Sequence, residues 1–277
     1  MITGINSPLV SVITPCYNDG KYILDAVISV EKSTYSNIEH IIINDGSTDA
    51  HTLEVLDKII IPRVRIIHTE NQGVCKARNT AIKQSSGKYI LPLDGDDLIS
   101  TEYISRAVEQ LEADENVKIV TCDYRYFGKI SRSVEVEPYS MEKLLGHNLY
   151  VVSSFFRRSD FDRVEGFNVN MDSGLEDWDF WIKMLKCGGQ VIRLEGEHFF
   201  YRIKPYNKSR NTGMSQERDK KLRQIIWENN RELYSQVFPD PLQFREYLNV
   251  VNSKEYRLGK LLLAPIRKLI RFYREMP

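Results

Sequence analysis

Three carboxylates stand within four residues at Asp94-Gly95-Asp96-Asp97, directly after the apolar run Tyr89-Ile90-Leu91-Pro92-Leu93. Acids this close repel one another unless a cation sits among them. Hard carboxylate oxygens suit Mg²⁺ or Mn²⁺, which usually complete their coordination with substrate phosphates and water. The run before them has the length and composition of a buried strand, and open α/β sheets bind ligands at the carboxyl ends of parallel strands. An acidic turn closing a strand has the same sequence, so the cluster alone leaves both readings open.

The elements that must position such a cluster lie on either side of it. A β-branched run over residues 9–14 predicts a first buried strand that stops at Pro15. Helical spacing follows over 22–31, then a strand over 38–43 that runs into Asn44-Asp45-Gly46-Ser47-Thr48-Asp49, turn formers able to cap a helix from Ala50. A strand over 64–68, a helix over 74–84 and the strand before the acids complete the series. Strand and helix alternating at this spacing predict βαβ units with a parallel sheet, their loops gathered at one edge. A helix over 101–114 and a strand over 117–122 come next. Between 124 and 150 the pattern turns irregular, which predicts at least one strand against the parallel order. Beyond it we expect strands over 150–156, 191–194 and 198–202, and helices over 158–164 and 174–186. Residues 204–215 read as a mobile polar loop, followed by helices over 216–237 and from 241 onward.

Composition bounds the class. The 277 residues are 42% apolar and 27% charged, with 38 basic against 38 acidic side chains, so bulk charge predicts no nucleic-acid partner. Cys16, Cys75, Cys122 and Cys187 are widely spaced, a pattern of reduced thiols rather than a disulfide framework. MITGINSPLV lacks the basic and apolar regions of a secretory leader, and no apolar run reaches the roughly 18 residues that span a bilayer. A cytoplasmic chain is the expectation.

Five segments, in this order and spacing, carry a resemblance: VSVITPCYND (10–19), IIINDGSTD (41–49), Asn71-Gln72-Gly73 with Ala77-Arg78-Asn79, the acidic cluster, and Glu176-Asp177-Trp178-Asp179-Phe180-Trp181. Together they resemble the family-2 glycosyltransferases of the GT-A fold, over residues 8–202. The resemblance implies an α/β fold with a Rossmann-like nucleotide-binding half (8–123) and a mixed acceptor half (124–212), forming a catalytic domain over 1–212. A helical extension over 213–277 would follow it. It implies an inverting, metal-dependent hexosyltransferase that uses a nucleoside-diphosphate sugar, UDP-linked, in bacterial surface-polysaccharide synthesis. Pro15, Tyr17 and Asp19 would pack on base and ribose, Asp45 would recognise the base, and Arg78 would approach the nucleotide. Asp94 would lie near ribose and metal, with Asp96 the direct ligand of Mn²⁺ or Mg²⁺ and Asp97 in support. Asp177 would be the base, with Glu176 and Trp178 beside the acceptor. Such a transfer needs one base for the acceptor hydroxyl and a metal for the leaving diphosphate, not the two carboxylates of a hydrolase. Each assignment has a plain alternative: a strand-end aromatic for Tyr17, a turn for Asp45, a solvated helix face for Arg78, and a first-turn acid favoured by the helix dipole for Asp177.

Two departures qualify the likeness. Relatives carry a YRxH motif, whereas Tyr201-Arg202-Ile203-Lys204 ends in lysine. Arg202, Lys204, Lys208 and Arg210 are therefore expected to close over the phosphates, with ordinary solvated charges as the alternative. Gln190-Val191-Ile192-Arg193 is followed by leucine rather than the tryptophan of processive synthases, which points to a non-processive enzyme. His198 reads as a core residue rather than a ligand. A sugar-nucleotide pyrophosphorylase would need a glycine-rich, basic loop after the first strand, which ITPCYND lacks. A non-catalytic sugar-nucleotide-binding protein is a third reading. From Lys254 onward, seven bases against two acids leave a net of five positive charges at helical spacing among leucines. That tail fits a membrane surface on the inner face of the cell, where a lipid-linked or glycan acceptor would be carried. Docking on the chain's own core or in a homodimer is the alternative.

Overall fold

The parallel series is built as its alternation requires. Strands β1 (Val10–Cys16), β2 (Ile38–Asp45), β3 (Val64–Thr69) and β4 (Tyr89–Pro92) are joined by helices α1 (Ile23–Glu31), α2 (Ala50–Asp57) and α3 (Val74–Lys83). The computed structural model describes residues 7–204, 214–238, 250 and 253–275. Within them one nine-stranded sheet runs in the order β3-β2-β1-β4-β8-β6-β9-β5, with β7 added on β6. The later strands are β5 (Leu98–Ile99), β6 (Val117–Gly128), β7 (Arg132–Val134), β8 (Phe155–Arg157) and β9 (Gln190–Ile203). Strand β1 is flanked by β2 and β4, both parallel to it, so the winding reverses between β1 and β4. Such a switch point opens a crevice at the carboxyl edge of the sheet.

Among the described residues three strands break the parallel order: β7, inside the irregular region, is antiparallel to β6, β5 is antiparallel to β9, and β8 is antiparallel to both β4 and β6. Two reversals bring β6 back to the direction of β4, and β9 runs parallel to β6. The ends of β1, β2, β4 and β9 therefore meet at one edge. The core beneath them joins Val10, Val12, Tyr89 and Leu91 to Tyr103, Phe155 and Phe199, all 0% exposed. Helix α4 (Tyr103–Ala113) covers this face.

Several boundaries differ from expectation. Strand β1 continues through Pro15, because β4 pairs with β1 only as far as Ile13 while β2 follows it to Cys16. The missing N–H of Pro15 costs nothing at an unpartnered edge. The strand expected over 150–156 is confined to its end. Its serines turn the backbone locally, with Ser154 Oγ donating to the Val151 carbonyl at 2.9 Å. The two strands expected over 191–202 are one, interrupted where the register with β6 skips from Leu194 to Glu197 and Gly196 takes a φ of 99°. Helix α5 (Met141–Gly146), capped by Ser140, lies in the region read as irregular, and α6 (Arg158–Arg163) and α7 (Glu176–Leu185) follow. The helix expected over 216–237 is broken into α8 (Gln216–Asn229) and α9 (Arg231–Val237). All four cysteines are free. His198 is buried against Ser100, Arg106 and the ring of Tyr103, as a core residue.

The chain forms two compact units that divide between Asn230 and Arg231. The second contains α9 and the long helix α10 (Lys254–Glu275), with Pro265 inside it. No helix among the described residues is long and apolar enough to cross a membrane.

Candidate active site

A cleft of about 470 Å³ opens at the shared edge, lined by the loop after β1, the end of β2, the start of α3, the acidic cluster, and Glu176. Pro15, Tyr17 and Asp19 all line it. Tyr17 is 49% exposed, an aromatic face free at the rim. The loop carrying it is shaped by Asn18, whose φ of 54° is left-handed and whose Oδ1 accepts from the N–H groups of Thr48 and Asp49, both at 2.9 Å.

Asp45 faces the cleft yet is nearly buried, and its two oxygens accept from the N–H groups of Gln72 (2.8 Å) and Gly73 (2.9 Å). It thereby fixes the backbone that leads into α3. Asp49, not Asp45, is the helix cap, accepting from Thr52 N at 2.9 Å. Gly73 has a φ of 86°, and a Cβ there would fall 1.7 Å from the carboxylate of Asp172. That carboxylate accepts from Cys75 N at 3.0 Å, a contact no sequence pattern announces.

Arg78 is neither on a solvated helix face nor a lining residue of the cleft. It is 1% exposed and donates to Asp94 Oδ1 at 2.6 Å and Glu176 Oε1 at 2.7 Å. Burial opposes its charge, but the two carboxylates outweigh that and hold the guanidinium protonated more firmly than usual. One buried side chain thus ties the loop after β4 to the first turn of α7, with Arg78 and Glu176 98 residues apart in sequence.

The three acids of the cluster have separate environments. Asp94 turns to Arg78, and Asp96 to Lys204 at 2.9 Å. Asp97 is buried and accepts from the backbone N–H of Arg202 at 2.8 Å. Burial first, and then the charges of Asp96 and Asp94, push the Asp97 carboxyl well above the usual range; burial also raises Asp96. Asp94 and Asp96 fit a divalent cation that shares its coordination with a diphosphate. Among the described residues no group of three His, Cys, Asp or Glu side chains forms a protein-only cage.

The expected phosphate-closing group separates. Lys204 lines the cleft, paired with Asp19 at 2.7 Å as well as Asp96. Arg202 does not line it. Alternation along β9 sends Tyr201 to the cleft and Arg202 to a second groove, between the rings of Tyr22 (4.8 Å) and Phe127 (4.4 Å), with Asp25 at 2.8 Å. Lys208 and Arg210 lie outside the described residues.

Helix α7 starts from Leu175 in the left-handed region, with no side-chain cap, so its first turn is served by its own acids. Glu176 lines the cleft, whereas Asp177 is not among its lining residues. Asp177 accepts from Asn148 Nδ2 at 3.0 Å and from Trp178 N at 2.8 Å. Burial, and next the charge of Glu176, raise its carboxyl to about 7 against the opposing pull of Arg78 and Asn148. Asn148 comes from the irregular region, where sequence offers no signal for it. Trp178, expected beside the acceptor, is instead a buried strut, 3% exposed, whose Nε1 donates to the Leu144 carbonyl of α5 at 2.5 Å. Trp181 is fully buried. Asp179, 0% exposed, collects the amides of Asn168, Asn229 and Asn230 at 2.6 to 3.0 Å and so joins α8 to α7.

The family model for glycosyl transferase family 2 matches residues 11–171, and one described as the N-terminal domain of galactosyltransferase matches residues 138–209. Chondroitin synthase of Escherichia coli is 32% identical over 187 residues, covering 65% of this chain and 27% of that protein. Glycosyltransferase GlyG of Streptococcus pneumoniae is 37% identical over 123 residues, 43% of this chain and 40% of that protein. EpsJ of Bacillus subtilis, named a glycosyltransferase, is 32% identical over 219 residues, 72% of this chain and 62% of that protein. The chain thus spans between 27% and 62% of the length of these relatives. Among solved structures, residues 1–349 of TarS from S. aureus in complex with UDP-GlcNAc superpose with a TM-score of 0.67 at 20% identity, covering 80% of this chain and 66% of that one. That likeness carries the fold, which is GT-A with a C-terminal helical extension. With five sequence segments, the sheet order and a family match over more than half its length in agreement, the chain belongs to glycosyl transferase family 2.

Proposed function

We propose that this chain is an inverting, non-processive glycosyltransferase of polysaccharide synthesis. It moves a sugar from a nucleoside diphosphate, UDP-linked, to a hydroxyl of a glycan or lipid-linked acceptor. The observation that carries the reading is the Arg78 brace. It holds the acidic cluster, suited to a metal and a diphosphate, at fixed distance from the α7 turn that presents a carboxylate raised to about 7. UDP is favoured by the TarS complexes with UDP-GlcNAc and UDP.

In this mechanism Tyr17 and Pro15 pack on the base and Asp45 holds the loop against which it rests. Asp177 takes the proton from the acceptor hydroxyl as its oxygen attacks the anomeric carbon from the face opposite the diphosphate. The bond to the diphosphate oxygen breaks, and the nucleoside diphosphate leaves with the electron pair. Mn²⁺ or Mg²⁺, held by Asp96 and Asp94, would neutralise the charge that develops on the leaving group. A base must touch the acceptor rather than the donor, so a place for Asp177 beside the cleft suits its task. Its raised affinity for a proton suits a base working near neutral pH.

The test is a thermal-shift panel of nucleoside diphosphates and their sugars with and without Mn²⁺, followed by assay of Asp177→Asn with the stabilising donor. Metal-dependent stabilisation by UDP-sugars is expected, because ligands raise stability in step with their affinity for the folded state. Turnover should fall by about 10²–10⁴ in the variant, with donor binding kept. Stabilisation by none of them, or full turnover without Asp177, would overturn the reading. We also propose that α10 rests on the anionic inner surface of the cell membrane, where such an acceptor would be carried.

A further inference from the structure

Lys204, directly after β9, pairs with Asp96, one of the two acids that would hold a metal. Lys204 Nζ lies 2.7 Å from Asp19 Oδ1 and 2.9 Å from Asp96 Oδ2, with the side chain only 12% exposed. Its ammonium is also 5.2 Å from the ring centroid of Tyr22. One cation therefore joins the ends of β1, β4 and β9 across the switch point.

We propose that Lys204 is the resident counter-cation of the acidic cluster, which a divalent metal must displace, so that metal and nucleoside diphosphate load together and metal alone binds weakly. The proposal rests on the metal-dependent reading above. A divalent ion on Asp96 sits roughly 2.0–2.2 Å from the carboxylate oxygen, which leaves it within about 5 Å of an ammonium bonded to that same oxygen. Two positive charges at that separation repel strongly at a site shielded from water. Charge counting gives the escape. A divalent metal together with the doubly negative diphosphate of a sugar donor adds no net charge, whereas either one alone shifts the cluster by two. The arriving phosphate also offers the lysine a new partner. The side chain is suited to the exchange, being a point charge on a flexible stem rather than a rigid fork.

Mn²⁺ binding, followed by electron paramagnetic resonance and by calorimetry, tests this without any turnover. In the parent protein Mn²⁺ alone should bind at least about tenfold more weakly than Mn²⁺ with UDP. Lys204→Met should tighten Mn²⁺ alone by about tenfold or more and shrink the help UDP gives, while Lys204→Arg, which keeps the charge, should stay near the parent. Lys204→Gln serves in place of Lys204→Met if circular dichroism shows the latter unfolded. If the neutral variant binds Mn²⁺ alone no more tightly than the parent, the counter-cation role is wrong and Lys204 is a structural staple. If neither protein takes Mn²⁺ even with UDP, the metal reading falls and this inference with it, and UDP binding without metal would leave the donor assignment standing.

Discussion

Glu176, Asp177 and Asp179 share one helical turn, and the fold gives each different partners: a buried guanidinium, one side-chain amide with a backbone N–H, and three side-chain amides. The sequence shows that acids belong in a first helical turn but not which way each one faces, so Asp177 was legible as a type and its link to Asn148 was not. The same holds for Arg78, whose solvated-face alternative gives way to a buried residue clamped between carboxylates. Removing it as Arg78→Met leaves Asp94 and Glu176 without their cation, and breaking a buried pair costs about 3–5 kcal/mol. Urea unfolding should show that loss, and Arg78→Lys should restore only part of it, since one ammonium lacks the fork that reaches both acids. Asp177 makes the opposite prediction. Its folded-state pKa lies above that of the unfolded chain, so the folded state holds the proton more tightly and stability declines as pH rises from about 4 through about 7. Asp177→Asn removes that penalty. The variant should be more stable than the parent by about 4 kcal/mol at pH 8 and indistinguishable from it near pH 4, read from melting curves at both values. Equal curves at pH 8 would mean the carboxylate is not strained.

The elements were legible where local pattern and tertiary role coincide. The first four strands and their helices follow from β-branched runs and helical spacing, and the structure shifts their ends by a residue or two. Where an element depends on a distant partner the pattern misleads. Residues 150–154 have strand-like side chains, but β8 pairs through only Phe155, Phe156 and Arg157. Two runs read apart as strands form one because β6 extends alongside both. The start of α3 shows how an element is aimed. Gly73 lets the backbone pass against Asp172 with φ at 86°, which delivers the N–H groups of Gln72 and Gly73 to Asp45. Gly73→Ala must move that carboxylate and strain the backbone, at an expected cost of about 1–3 kcal/mol. UDP affinity should fall with it, measured by calorimetry, because the loop held by Asp45 lines the cleft. Unchanged stability would show that the turn relaxes freely.

At the scale of the whole molecule, charge that balances over 277 residues is distributed unevenly. The net of five positive charges from Lys254 onward falls within α10. In that helix Leu258, Leu261, Leu262 and Ile266 share one arc by the 3.6-residue period and are 56, 72, 64 and 51% exposed, while Arg257 borders the arc and Lys260 falls on the opposite side. An apolar arc backed by cations matches the requirements of an anionic lipid surface, with each cation worth about 1 kcal/mol near it. A helix that docked on another protein surface would need neither the net charge nor sensitivity to salt. The full chain should therefore sediment with vesicles containing phosphatidylglycerol at low salt, stay in solution with purely zwitterionic vesicles, and be released as salt screens the charges. Leu261→Glu combined with Leu262→Glu should abolish sedimentation while leaving nucleotide-induced thermal shifts intact, since neither residue belongs to the cleft. A chain that ignores the anionic vesicles, yet shows twice its mass by light scattering, would assign the helix to a homodimer instead.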